Sequence, residues 1–159
     1  MATVKNTAGT ITTVMSTDLN SMANNANVLS AAPTMTAGDI GHRFGEWELY
    51  IASSAAAMTA NTAFVGWILQ PLDGTNYEDG GTSVTPARTP DLVFPVRAVS
   101  TAQRLYCQSQ MPTGAYKILL RNDGTGQAIA SSGNTLKVRT FTASGSRGNA
   151  MVRRAGRIS

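Results

Sequence analysis

Short apolar segments of β type, separated by turn residues, restrict this chain more than any other feature. In Gly45–Ser53 (GEWELYIAS), Trp47, Leu49 and Ile51 alternate with Glu46, Glu48 and Tyr50. A period of two sets these groups on opposite faces of a half-buried strand. Thr62–Gln70 (TAFVGWILQ) is more continuously apolar, as a strand buried on both sides or lying centrally would be. Leu92–Ser100, Ala102–Ser109, Ala115–Arg121 and Thr135–Thr142 read as further strands. In the first of these, Pro95 has no backbone donor and marks an edge or a bulge. In the last, Leu136, Val138 and Thr140 share one face and Lys137, Arg139 and Phe141 the other. Pro71–Gly74, Asn76–Gly81, Met111–Gly114 and Asn122–Gly126 are turn text, with Asn122 or Asp123 a candidate for positive φ beside Gly124.

No βαβ alternation occurs. These strands, with one or two more near residues 3–14, 82–86 and 127–131, predict an all-β fold, an antiparallel β-sandwich. About eight strands with Greek-key connections would make it a jelly roll. Residues 1–14 are polar and Thr-rich, an extended arm or a first edge strand. Met15, Leu19, Met22, Ala26 and Leu29 then recur at steps of four, three, four and three. That spacing predicts a short amphipathic helix over about 16–30. Ser16 or Thr17 would cap it, Asp18 would sit at its positive end, and Ala32–Pro33 would end it. The expected division is 1–36 as an N-terminal arm with this helix, 37–143 as the sandwich, and 144–159 as a basic tail with extended termini.

The chain's 159 residues suit one domain. Only 14% are charged, and Thr, Ser, Asn, Gly and Ala fill the balance. Such a composition suits uncharged sheet faces and surfaces that end up against protein. The net charge of +4 is uneven: no acidic residue follows Asp123, whereas Lys137, Arg139, Arg147, Arg153, Arg154 and Arg157 do. Cys107 is the one cysteine, so no intrachain disulfide forms. No signal-peptide pattern is read at the N-terminus, and the apolar stretches fall short of the roughly 20 residues of a membrane helix.

Residues with chemical potential are few. His42 is the one histidine, near Asp39, and no G-x-S-x-G elbow accompanies it, so a packing or surface role is expected. Glu46 and Glu48 share a strand face, where cross-strand Arg partners would neutralise them. The oxygen-rich Asp73–Gly80 loop lacks the spacing of an EF-hand and is expected to bond its own backbone. No Cys/His cluster for zinc and no phosphate-binding loop is present. The reading is of a non-enzyme without cofactor or metal. Trp47, Trp67, Phe64, Tyr50 and Phe94 are expected in the core, leaving Tyr77 as the obvious exposed stacking ring.

Gly66-Trp67-Ile68-Leu69 leads to Leu72-Asp73-Gly74-Thr75-Asn76-Tyr77-Glu78-Asp79-Gly80, then Arg88-Thr89-Pro90-Asp91 and Phe94-Pro95-Val96-Arg97-Ala98. Thr101-Ala102-Gln103-Arg104, Tyr116-Lys117-Ile118-Leu119-Leu120-Arg121-Asn122 and Gly133-Asn134-Thr135-Leu136-Lys137 follow. From Trp47 to Phe141 this text resembles small virion proteins of tailed bacteriophages. The resemblance implies a jelly-roll-like sandwich in the phage particle, with capsid cement or decoration as a common role. The implied partners are copies of itself, as dimer or trimer, and the major capsid protein. The implied location is the capsid exterior after assembly in the host cytoplasm. No membrane is expected, and protein docking is preferred to nucleic acid for the tail. The candidate adhesive residues are Met15, Leu19, Met22 and Leu29 on the helix and Arg147, Arg153, Arg154 and Arg157 in the tail. The alternative is a tail- or fibre-associated module that binds a receptor or glycan.

Overall fold

The computed structural model describes residues 4–32, 42–71 and 73–145. Its strands are β1 (Val4–Met15), β2 (Asn27–Leu29), β3 (Phe44–Ile51), β4 (Ala63–Leu69), β5 (Leu92–Pro95), β6 (Gln103–Gln110), β7 (Lys117–Asp123) and β8 (Thr135–Gly145). They form two antiparallel four-stranded sheets, ordered β1-β8-β3-β6 and β2-β7-β4-β5. The pairing is nested: β1 joins β8, β2 joins β7, β3 joins β6 and β4 joins β5. Pro95 ends β5, an edge strand, where its missing donor costs no ladder bond.

The alternation in β3 and β8 is realised in the core. Trp47, Leu49, Ile51, Leu136 and Val138 meet Phe64, Ile68, Leu92, Phe94, Ile118 and Leu120 from the opposite sheet. Burial of each such side chain contributes on the order of 1.5–3 kcal/mol. Trp47 meets Tyr116 edge-on at 6.4 Å and donates its indole N–H to Ser109 Oγ at 2.9 Å.

The segment before β2 departs from the expected helix. The 16–30 stretch holds one 3-10 turn, Thr17–Leu19, and then β2, which pairs with β7. Ser21 and Asn25 take positive φ, which breaks any continuous helix. The asparagines that lower helix propensity are used instead as loop staples. Asn24 Oδ1 accepts from Gly126 N–H at 2.9 Å, and Asn25 Oδ1 accepts from Gly124 N–H at 3.0 Å. Asn20 Oδ1 accepts from the buried Asn134 side chain. Met15, Leu19 and Met22 still point inward, but into this domain's own core. β1, within the stretch expected as an N-terminal arm, is an edge strand paired along β8. In the Asn122–Gly126 turn the positive φ angles fall on Gly124 and Gly126, and Asn122 and Asp123 stay in β7.

The β2-β7-β4-β5 sheet buries apolar side chains on both faces. Its outer side carries buried Trp67, Leu69 and Leu119, packed with the partly buried Leu29, Val65 and Tyr77, beside Lys117 and Arg121. The long connection from β4 to β5 lies across them as a strap. Trp67 Nε1 donates to Arg88 O at 3.0 Å, and Asn27 Nδ2 donates to Gly81 O at 3.2 Å and Thr85 Oγ1 at 3.0 Å. Gly80 lies so close that an added Cβ would stand 3.0 Å from Leu69 Cδ1.

Leu120→Ala, at a fully buried site, is expected to cost about 2–5 kcal/mol in denaturant unfolding. Ile11→Ala, at a 62% exposed site, is expected to stay within about 0.5 kcal/mol of wild type.

Candidate functional site

Among the described residues, the outer face of β1-β8-β3-β6 carries no strap of the kind that crosses the other sheet. The register arranges it in rows. Glu46 lies between Arg139 on β8 and Gln108 on β6. Glu48 lies between Lys137 and Tyr106, and Tyr50 between Thr135 and Arg104. Phe44 stacks on Phe141 with ring centroids 5.4 Å apart. Beyond β8, Ile11 on β1 stands in the Arg139 row. A shallow depression of about 250 Å³ runs between Ile11 and Tyr106, with Glu46, Glu48, Lys137 and Arg139 in its lining.

Bonds within the face hold it in one arrangement. Arg139 donates to Glu46 through Nε, at 2.9 Å, and through Nη2. Arg104 Nη1 donates to Glu48 Oε1 at 2.9 Å and its guanidinium sits 4.5 Å above the Tyr50 ring. Tyr106 donates its hydroxyl to Glu48 Oε2 at 2.6 Å. That bond first, and then the nearby Arg104 and Lys137 charges, lower the Glu48 pKa against the opposing effect of burial. The same bond raises the Tyr106 pKa. The carboxylates expected to meet cross-strand arginines do so, and Glu48 is held ionised, unlike a general acid, whose pKa must be raised.

The strap is a second network. Arg88 binds Glu78 with both Nε, at 3.0 Å, and Nη2, at 2.6 Å. It also donates to Asp91 Oδ2 at 2.7 Å and Ile68 O at 3.0 Å, while Asp91 Oδ2 accepts from Ile68 N–H at 2.7 Å. One guanidinium thus ties the middle and the C-terminal end of the strap to β4. These contacts raise the Arg88 pKa, the bond to Glu78 most. At the strap's start, Asp73 accepts from the Thr75 and Asn76 N–H groups at 2.8 and 2.7 Å, the self-bonded loop expected. Those bonds lower its pKa to about 2.

The other singled-out residues fall elsewhere. His42 is buried, with Nδ1 2.8 Å from Thr140 Oγ1; Asp39 lies outside the described residues. Tyr77 is half-buried, and Lys117 Nζ covers its ring at 4.4 Å. Tyr50, expected in the core, is on the open face. Met15, Leu19 and Met22 are enclosed, Leu29 packs beneath the strap, and Arg147, Arg153, Arg154 and Arg157 lie outside the described residues. Among the described residues no His, Cys, Asp and Glu side chains cluster as metal ligands would, and no helix is long and apolar enough to cross a membrane. Burial pushes the half-buried Cys107 thiol up to about 11. The sequence reading missed Ile11 and Tyr106, the most exposed large apolar and aromatic groups among the described residues. The signal for Tyr106 was the alternation of Arg104, Tyr106 and Gln108 with Leu105 and Cys107.

Comparison with protein-family models, curated proteins and solved structures finds no match to the chain.

Arg88→Ala is expected to cost about 1–2 kcal/mol, the value of charged hydrogen bonds discounted for a side chain 36% exposed. Trp67 emission should shift to the red as the strap loosens. For Glu48, a folded pKa below the ordinary 4.5 adds stability that is complete above that value and lost as pH falls through the folded one. Asp73 acts in the same sense between 3.8 and about 2. Unfolding midpoints should therefore fall on acidification below pH 4.5, and fall less in Tyr106→Phe, which loses the main cause of the Glu48 shift. Carboxyl NMR should show Glu48 titrating at higher pH in that variant.

Proposed function

We propose that this chain is a structural protein of a tailed-phage particle, a capsid cement or decoration protein. It would bind between major capsid proteins on the shell exterior and act by buried surface, without turnover. The observation that carries the reading is the open face of β1-β8-β3-β6, which bears aromatic and arginine side chains, opposite a face partly covered by the chain's own strap. Tyr and Arg are favoured where proteins dock.

Two further points support it. The nested pairing of β1 with β8 through β4 with β5 is what an eight-stranded ribbon rolled into a jelly roll produces. The strap and the strands beneath it contain most of the segments that resemble small phage virion proteins, and the others lead into β6 and β8; a shared fold alone does not decide function. Many identical contacts on one shell would add by avidity, so no single contact need be strong. The basic tail, with Arg147, Arg153, Arg154 and Arg157, is the proposed second contact.

A second reading, receptor or glycan binding at a tail or fibre, draws on Tyr106. Its ring is 66% exposed beside charged and amide side chains, so it replaces Tyr77 as the candidate stacking surface.

The test is co-sedimentation with expanded shells that lack the protein, at low and high salt, beside a chain ended after Gly145 so that β8 stays whole. Saturable binding, weaker without the tail, is expected. Absence of binding would overturn the cement reading and direct the search to glycans.

A further inference from the structure

The strand order and register of the open sheet make its outer face complementary to itself. A two-fold axis along the strands, midway between β8 and β3, places β8 over a second copy's β3 and β1 over its β6. The order β1-β8-β3-β6 permits this because it has two strands on each side of the axis. Rows are kept under such a rotation. Lys137, which pairs in register with Glu48 of its own chain, then faces the second copy's Glu48, and Arg139 faces its Glu46. Ile11 descends beside the second copy's Gln108, one side-chain row from its Tyr106. The two central charged pairs are thus cation to anion, Phe141 faces the second copy's Phe44, and Tyr50 and Tyr106 face its Thr135 and Thr13.

We infer that the outer face of β1-β8-β3-β6 is a homotypic docking face, on which a second copy of this chain packs about that two-fold axis. The contact is isologous, so it closes as a dimer. Phe44, Tyr50, Tyr106 and Phe141 lie on this face, four of a total of four Phe, four Tyr and two Trp. Ile11 and Tyr106 are 62% and 66% exposed in the single chain, which leaves them most to gain from cover. Strands of about eight residues, about 4.8 Å apart with a rise of about 3.3 Å, present about 500 Å² in a four-stranded face. Two faces bury about 1,000 Å², the lower bound of a specific interface. The intrachain bonds of Glu46, Glu48, Arg104 and Arg139 already fix their rotamers, so little side-chain entropy remains to be lost on docking.

This inference needs no phage particle, and because pairing covers the face proposed to meet the shell, dimer formation and shell docking exclude one another at that face. The test is sedimentation equilibrium of the full chain at up to roughly 100 µM, a range that detects even weak pairs. Wild type is compared with Ile11→Asp, Tyr106→Ala and the strap variant Val84→Asp, at a 49% exposed site away from the face. Thermal melting verifies that each is folded. Dimers are expected in wild type and Val84→Asp, with dissociation constants raised about thirtyfold or more in both face variants, as for central contacts. A monomeric wild type would overturn the inference, as would dimers untouched by either face variant. A wild type that is monomeric yet saturates shells would overturn this dimer and leave the cement reading standing.

Discussion

Burying both faces of β4 and β7 is the constraint on which the rest of the molecule depends. Phe64, Ile68, Ile118 and Leu120 point to one side and Trp67, Leu69 and Leu119 to the other. A sheet with two apolar faces needs two covers. The inner cover is the opposite sheet, through Trp47, Leu49, Leu136 and Val138. The outer cover is the strap between β4 and β5, too polar to hold by apolar contact alone. Arg88 therefore binds Glu78, Asp91 and the Ile68 carbonyl together, and Asp91 closes back on the Ile68 amide. A loop of this length without strands of its own is uncommon unless it serves a purpose. Here the purpose is a third layer.

That arrangement makes the domain two-sided. The strapped side is spent on internal packing, while the other sheet needs no second cover and presents charged, amide and aromatic side chains. These are held in register by bonds among themselves. A rigid, mixed-charge, aromatic-bearing face suits attachment better than turnover, because its carboxylates are already committed to arginines and to the Tyr106 hydroxyl. The proposed role in a phage particle draws on this face together with the nested strand order.

Much of the fold was legible because its signals are local. The alternation in GEWELYIAS and TLKVRTFT names the core faces of β3 and β8 correctly, and Pro95 marks an edge. The four-three spacing from Met15 to Leu29 misled because any inward-facing set can fall into that spacing by chance. There the asparagines and positive φ at Ser21 and Asn25 prevail over periodicity. Tyr50 was assigned to the core although its own alternation with Leu49 and Ile51 put it outside. The candidate face was least legible, because it depends on pairing between strands remote in sequence. Glu48 meets Tyr106 and Lys137 across some 58 and 89 positions, and nothing local to any of the three reports that register.

The most direct measurement of the central claim, that this protein works through the outer face of β1-β8-β3-β6, is side-chain footprinting. Hydroxyl-radical labelling would compare chain diluted to the monomer with chain in its dimeric or shell-bound form. Protection centred on Ile11, Tyr50 and Tyr106, with the strap residue Val84 labelled equally in both, is the predicted result. Protection confined to the strap, with Tyr106 labelled equally in both forms, would contradict the account.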